Sequence, residues 1–167
     1  MIIFGIDPGT AVTGYGVIKT VNNSVCWVDS GVITTDSADA LPMRLEKIFD
    51  RLFEKIQQHQ PQRVCIEEAF YGKNVHTTLV LGHARGVAML AARKTGATIV
   101  EYSPREVKKA ITGNGNATKD QVAYMVRMIL SPPAEHFHHD AYDALALAVG
   151  DFHMAKTDGL KKKIYLK

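Results

Sequence analysis

Two cysteines in 167 residues, Cys26 and Cys65, are too few for a disulfide framework, and both fall inside apparent strands. They read as buried thiols of a reducing compartment. No apolar run approaches the ~18 residues of a membrane span. The first residues lack the basic stretch and small-residue cleavage site of a secretory leader, because an apolar strand starts at once. Internal repeats and low-complexity segments are also missing, which excludes a repeat array. What remains is one cytoplasmic domain without membrane contact, long enough to bury a core.

A strong charge imbalance is missing too. Twenty Lys and Arg against 17 Asp and Glu give a net charge of +3 and a pI near 8.8. That permits an anionic partner without demanding one. The distribution says more. Arg105, Lys108, Lys109, Lys119 and Arg127 cluster against only Glu106 and Asp120, a candidate phosphate-contact surface. Lys161, Lys162, Lys163 and Lys167 form a basic tail, a composition that also suits a solvated, mobile end.

Asp7 carries the most information. It closes the apolar run Met1-Ile2-Ile3-Phe4-Gly5-Ile6, which reads as a central strand covered on both faces. A carboxylate at the end of a buried strand is costly unless something cationic meets it. A partner side chain, a metal or a phosphate-bearing metal would each serve.

Further strands are expected over 14–21 and 25–34, an antiparallel meander turning at Asn22-Asn23. The period then changes: Leu41, Leu45, Ile48, Leu52 and Ile56 recur at helical spacing, with Pro42 suited to the first turn. A fourth strand, 63–66, ends at Glu67-Glu68. A helix over 75–94 is capped by Gly96, and 97–102 is the fifth strand. Capping boxes at Ser103-Glu106 and Thr118-Gln121 open two more helices, separated by the polar loop 113–116. The last helix, 138–155, has Ala141, Leu145, Ala148 and Phe152 as its packing stripe. This order predicts an α/β fold: a five-stranded mixed sheet with helices on both faces, of ribonuclease H-like arrangement. Residues 1–155 would form this ribonuclease H-like domain and 156–167 a basic tail without required order.

If strands one and four are parallel neighbours, Asp7 and Glu67 converge at their ends. Asp140 and Asp143, three residues apart on the first turns of the last helix, share a face. Each could be a helix cap or a surface acid taken alone. Together the four would repel one another unless divalent cations joined them, and oxygen-only ligation points to Mg²⁺ or Mn²⁺. Two such ions can direct water at a phosphodiester.

The motif Ile3-Phe4-Gly5-Ile6-Asp7-Pro8-Gly9-Thr10 with Thr13-Gly14-Tyr15-Gly16-Val17 resembles the N-terminal signature of RuvC-type Holliday-junction resolvases. Ile66-Glu67-Glu68-Ala69-Phe70 through Lys73-Asn74, Leu81-Gly82-His83-Ala84-Arg85-Gly86-Val87, and Asp140-Ala141-Tyr142-Asp143-Ala144-Leu145-Ala146 are similar to later motifs of that family. The resemblance implies a homodimeric endonuclease of recombination and repair. It would nick two strands of a four-way DNA junction symmetrically, leaving 5′-phosphate and 3′-hydroxyl ends. Asp7, Glu67, Asp140 and Asp143 would hold two Mg²⁺ per site, with Mn²⁺ able to substitute.

Glu67 is preferred to Glu68 from its motif position, since alternation points the two to opposite faces. Phe70 reads as a core aromatic by composition and as a base-stacking wedge by resemblance, and Tyr71 and Lys73 extend its loop. Lys108 and Lys119 match basic positions near the cleaved phosphate, and Arg105 and Lys109 would help hold the DNA backbone. His139, among His136, His138 and His139, is a candidate auxiliary ligand or proton carrier. A branch-migration motor complex is a further implied partner. Two rival classes share parts of the pattern. An actin-, sugar-kinase- or Hsp70-type ATPase opens on a similar motif but needs two such domains. A non-catalytic DNA-binding module would not need four clustered acids.

Overall fold

The computed structural model describes residues 1–68, 74–132, 138–157 and 164–165. Three antiparallel strands come first: β1 (Ile2–Asp7), β2 (Val12–Val21) and β3 (Ser24–Thr34). Helix α1 (Leu41–His59) leads to β4 (Arg63–Glu67), α2 (Val75–Thr95) and β5 (Thr98–Tyr102). Then follow α3 (Pro104–Thr112), α4 (Lys119–Leu130), α5 (His139–Thr157) and a two-residue β6 (Ile164–Tyr165). The sheet order is β3-β2-β1-β4-β5-β6. β1 is antiparallel to β2 and parallel to β4, so the chain crosses over through α1. The five expected strands are present in the mixed, ribonuclease H-like order. β6 pairs antiparallel with β5 and extends the sheet into the segment 156–167.

The two faces follow from the period of two in a strand. Ile3, Cys65, Val100 and Tyr102 point into one core with α3, α4 and α5. Phe4, Ile6, Val64, Ile66 and Ile99 point into the other with α1 and α2. This double burial is why β1, β4 and β5 read as nearly continuous apolar runs. Ala141, Leu145, Ala148 and Phe152, the expected stripe of α5, are all buried.

Local signals set the boundaries. Pro42 sits in the first turn of α1, and both expected capping boxes close, at Ser103 with Glu106 and at Thr118 with Gln121. Gly96 ends α2 in the left-handed region at φ 78°.

One expectation is corrected. Cys65 is buried, but Cys26 is exposed, because β3 is the sheet edge and one side of it is left uncovered there. Among the described residues, no helix is long and apolar enough to cross a membrane.

Glycines bring α5 against the sheet. Gly5 and Gly16 face each other across β1 and β2. A Cβ on Gly5 would collide with the Ala144 carbonyl, and one on Gly16 would lie 2.6 Å from the Leu145 nitrogen. The sheet is bare where α5 crosses it, so the first turns of that helix reach the end of β1.

Candidate active site

Asp7 is the last residue of β1 and Glu67 the last of β4. Their strands are parallel neighbours, with Ile6 opposite Ile66, so both side chains leave the sheet at the same end and on the α5 side. α5 supplies Asp140 and Asp143 from its first turns. Asp7, Asp140 and Asp143 each offer a ligand oxygen within 4.8 Å of the others. Glu67 joins the group through Asp7, whose carboxyl donates it a hydrogen bond.

The electrostatics of these acids follow from their setting. Burial, then the charges of Glu67, Asp143 and Asp140, push the Asp7 carboxyl up to about 8. Glu67 is also raised, first by burial and then by Asp143. Both shifts express negative charge crowded where water cannot screen it. One lysine offsets part of this repulsion. Lys119, the first residue of α4, places Nζ 2.5 Å from Asp143 Oδ2. That hydrogen bond holds the ammonium above its ordinary range against a smaller opposing effect of burial.

Hard oxygen donors, mutual repulsion and a buried acid that keeps its proton are what a divalent-cation site looks like before loading. The donor set contains no sulfur and fits Mg²⁺ or Mn²⁺.

Of the basic residues expected here, Lys119 is in the cluster, and Lys108 is near enough to lower the shift of Glu67. Arg105 lies exposed one turn before Lys108 on α3 and runs along Gly115. Phe70, Tyr71, Lys73 and His136 lie outside the described residues. Among the described histidines, His138 is the one paired with Asp140. His138 Nδ1 is 2.7 Å from Asp140 Oδ2, while His139 opens α5 as an exposed residue. Proximity to Asp140 in sequence flagged the cluster, but the turn into α5 decides which ring folds back.

Two supporting groups were harder to foresee. The hydroxyl of Thr13, fully buried, donates to the Gly9 carbonyl at 2.6 Å and pins the turn that leaves Asp7. Asp151, also fully buried, receives a fork from Arg63, Nε to Oδ2 at 2.7 Å and Nη2 to Oδ1 at 2.5 Å. The Tyr102 hydroxyl donates to the same carboxylate. A lone acid inside the apolar run 144–152 was the available signal for Asp151.

Comparison with known proteins gives a consistent result. The profile of the family described as crossover junction endodeoxyribonuclease RuvC matches residues 3–151. The RuvC protein of Citrifermentans bemidjiense is 45% identical over 164 residues, covering 98% of this chain and 99% of that one. Among solved structures, Thermus thermophilus RuvC superposes with a TM-score of 0.87 at 30% identity, covering 97% of this chain and 99% of that chain. The same protein in complex with a Holliday junction substrate gives 0.86 at 28% identity, with the same coverage.

Proposed function

Because the chain belongs to the RuvC family of crossover junction endodeoxyribonucleases, we propose that Asp7, Glu67, Asp140 and Asp143 form the metal centre of a Holliday-junction resolvase. The convergence of these carboxylates from two parallel strands and one helix carries the reading. The family match over residues 3–151 also sets aside a nucleotide-hydrolysing half-domain.

The chain's own residues divide the work. Asp7 and Glu67 take the inner side of the site, and Asp140 and Asp143 close it from α5. Two Mg²⁺, or Mn²⁺ in their place, held by these four acids would supply Lewis-acid activation of a water and stabilisation of the leaving oxygen. Holding a cation would require Asp7 to give up its proton. Lys119 neutralises Asp143 while the site is empty. With cations on the carboxylates, its ammonium would be free for a phosphate oxygen of the cut strand. Lys108 and Arg105 extend that cationic track along α3. Phe70, Tyr71 and Lys73 are proposed as junction contacts from their motif position, and His139 as an auxiliary group.

A homodimer is part of the same proposal. The buried face of α2 is Ala84, Ala88, Ala91 and Ala92. The opposite face is a stripe of Val75, Leu79, Gly82, Gly86 and Leu90, with Val75, Leu79 and Leu90 exposed by 72%, 60% and 54%. A Cβ on Gly82 or Gly86 would meet nothing within 4 Å. An apolar stripe ~22 Å long is costly in water and suits a twin helix. Two-fold pairing would present two sites for two symmetric nicks. Contact with a branch-migration motor and action in the cytoplasm belong to the proposal through family membership.

The test is cleavage of a synthetic four-way junction beside a matched linear duplex in Mg²⁺. Paired nicks in the junction alone, absent with Asp7→Asn, support the reading. Junction binding without cleavage in either Mg²⁺ or Mn²⁺ removes it.

A further inference from the structure

A polar trio centred on Asp151, 8 to 11 residues along α5 from the acids, is not needed for chemistry, and its buried carboxylate is costly to keep in a core. Asp151 is fully buried, and its carboxylate is shared by the Arg63 fork and the Tyr102 hydroxyl. Burial and the Asp151 charge raise the Tyr102 hydroxyl well above its ordinary range, so it stays a donor. Burying such a pair brings little net stability over apolar residues of the same volume. Its use is therefore sought in geometry.

Arg63 and Asp151 each sit on an element that carries a metal-site acid, and Tyr102 sits beside one. Arg63 and Glu67 are the first and last residues of β4 and point to the same face. Tyr102 is the cross-strand neighbour of Glu67 on β5. Asp151 and Asp140 are 11 residues apart on α5, three turns, and so share one stripe of the helix. β4 runs toward the site and α5 runs away from it. From Arg63 to Glu67 the strand advances ~13 Å. From Asp143 to Asp151 the helix advances ~12 Å. The two elements are matched rails: one rung is the ion pair, and the other is the acidic cluster.

We propose that Arg63, Asp151 and Tyr102 are positioning residues that set the axial and rotational register of α5 against β4, and so the spacing of Asp140 and Asp143 from Glu67. The inference rests on the reading of those acids as the metal centre. A guanidinium fork suits this role because it fixes two bonds in one plane, whereas an ammonium fixes only a distance. The glycine seat at Gly5 and Gly16 lets α5 approach the sheet but cannot stop it sliding. The buried fork can.

The test uses the full chain in three versions. Arg63→Lys keeps the charge without the fork, and Asp151→Asn keeps the shape and an acceptor for Tyr102. The double variant Arg63→Met with Asp151→Leu fills the space with apolar volume and guards against unfolding. Mn²⁺ binding to the DNA-free protein is read by electron paramagnetic resonance of the free ion. It is expected to weaken ~10-fold in all three, the size typical of lost outer-shell support. Metal-free junction binding should stay within about two-fold of wild type, and the Mg²⁺ needed for half-maximal cleavage should rise in parallel. Wild-type Mn²⁺ affinity in any folded variant overturns the proposal. So does loss of cooperative melting in all three, which would make the trio a folding element rather than a register device. If the wild type binds Mn²⁺ but leaves junctions intact, the functional reading fails while the Mn²⁺ comparison still stands.

Discussion

Gly14 lies directly beneath Asp140. A side chain on Gly14 would collide with the Asp140 carbonyl and come within 3.1 Å of its Cβ. Gly14 is also the cross-strand partner of Asp7. One missing side chain therefore lets the helix-borne acid and the strand-borne acid meet. Gly14→Ala should push the first turn of α5 outward by about 1 Å. Junction cleavage at saturating Mg²⁺ is expected to fall ~10²-fold, the scale of a 1 Å misplacement. Junction binding, read by gel shift without metal, should change little.

Burial and the neighbouring acids push the Asp7 carboxyl up to about 8 in the folded protein, against an ordinary value of 3.8. Between those values the folded state binds more protons than the unfolded chain, so stability falls as pH rises from about 4 to 8. Asp7→Asn removes that buried charge. In EDTA at pH 8 it should raise Tm by ~2–4 °C, about 1 kcal/mol for a chain of this size. The same variant should lose cleavage altogether. A thermal melt that drops instead would mean that Asp7 is a structural acid.

Metal loading must expel the proton of Asp7, so affinity should depend on pH in a defined direction. Mg²⁺ affinity should strengthen as pH rises from 6.5 toward 8, and level off above. One proton released per loading event would give up to ~10-fold per pH unit on the rising part. Isothermal titration in two buffers of different ionisation enthalpy counts that proton directly.

Lys119 competes with cations for Asp143 while it waits for a phosphate. Lys119→Met should therefore tighten Mn²⁺ binding to the DNA-free protein a few-fold and weaken junction cleavage ~10–100-fold. The opposed signs are the signature. A fall in both would make Lys119 a support of the acidic cluster only.

The outward face of α2 predicts the assembly. Leu79→Glu with Leu90→Glu places two charges on the apolar stripe of exposed residues. Sedimentation should show a monomer where the wild type is a dimer. A wild type that sediments as a monomer at ~10 μM would remove the dimer proposal, since apolar interfaces of this kind hold at lower concentrations.

Much of this was legible in the residues taken alone. Period two in β1, β4 and β5, period 3.6 in α1 and α5, and two capping boxes are local signals. They place Asp7 and Glu67 at strand ends and Asp140 and Asp143 on one helix face, because backbone geometry dictates which neighbours share a side. What the chain could not show is contact between distant segments. Only packing turns His138 onto Asp140, leaves Cys26 on an uncovered edge, and adds Ile164–Tyr165 to β5. The link between Arg63 and Asp151 spans 88 residues, and no local pattern encodes it. Sequence determined which acids could share a face. The tertiary structure decided how near they come, because that distance is set by bare glycines and a buried ion pair acting between elements rather than within them.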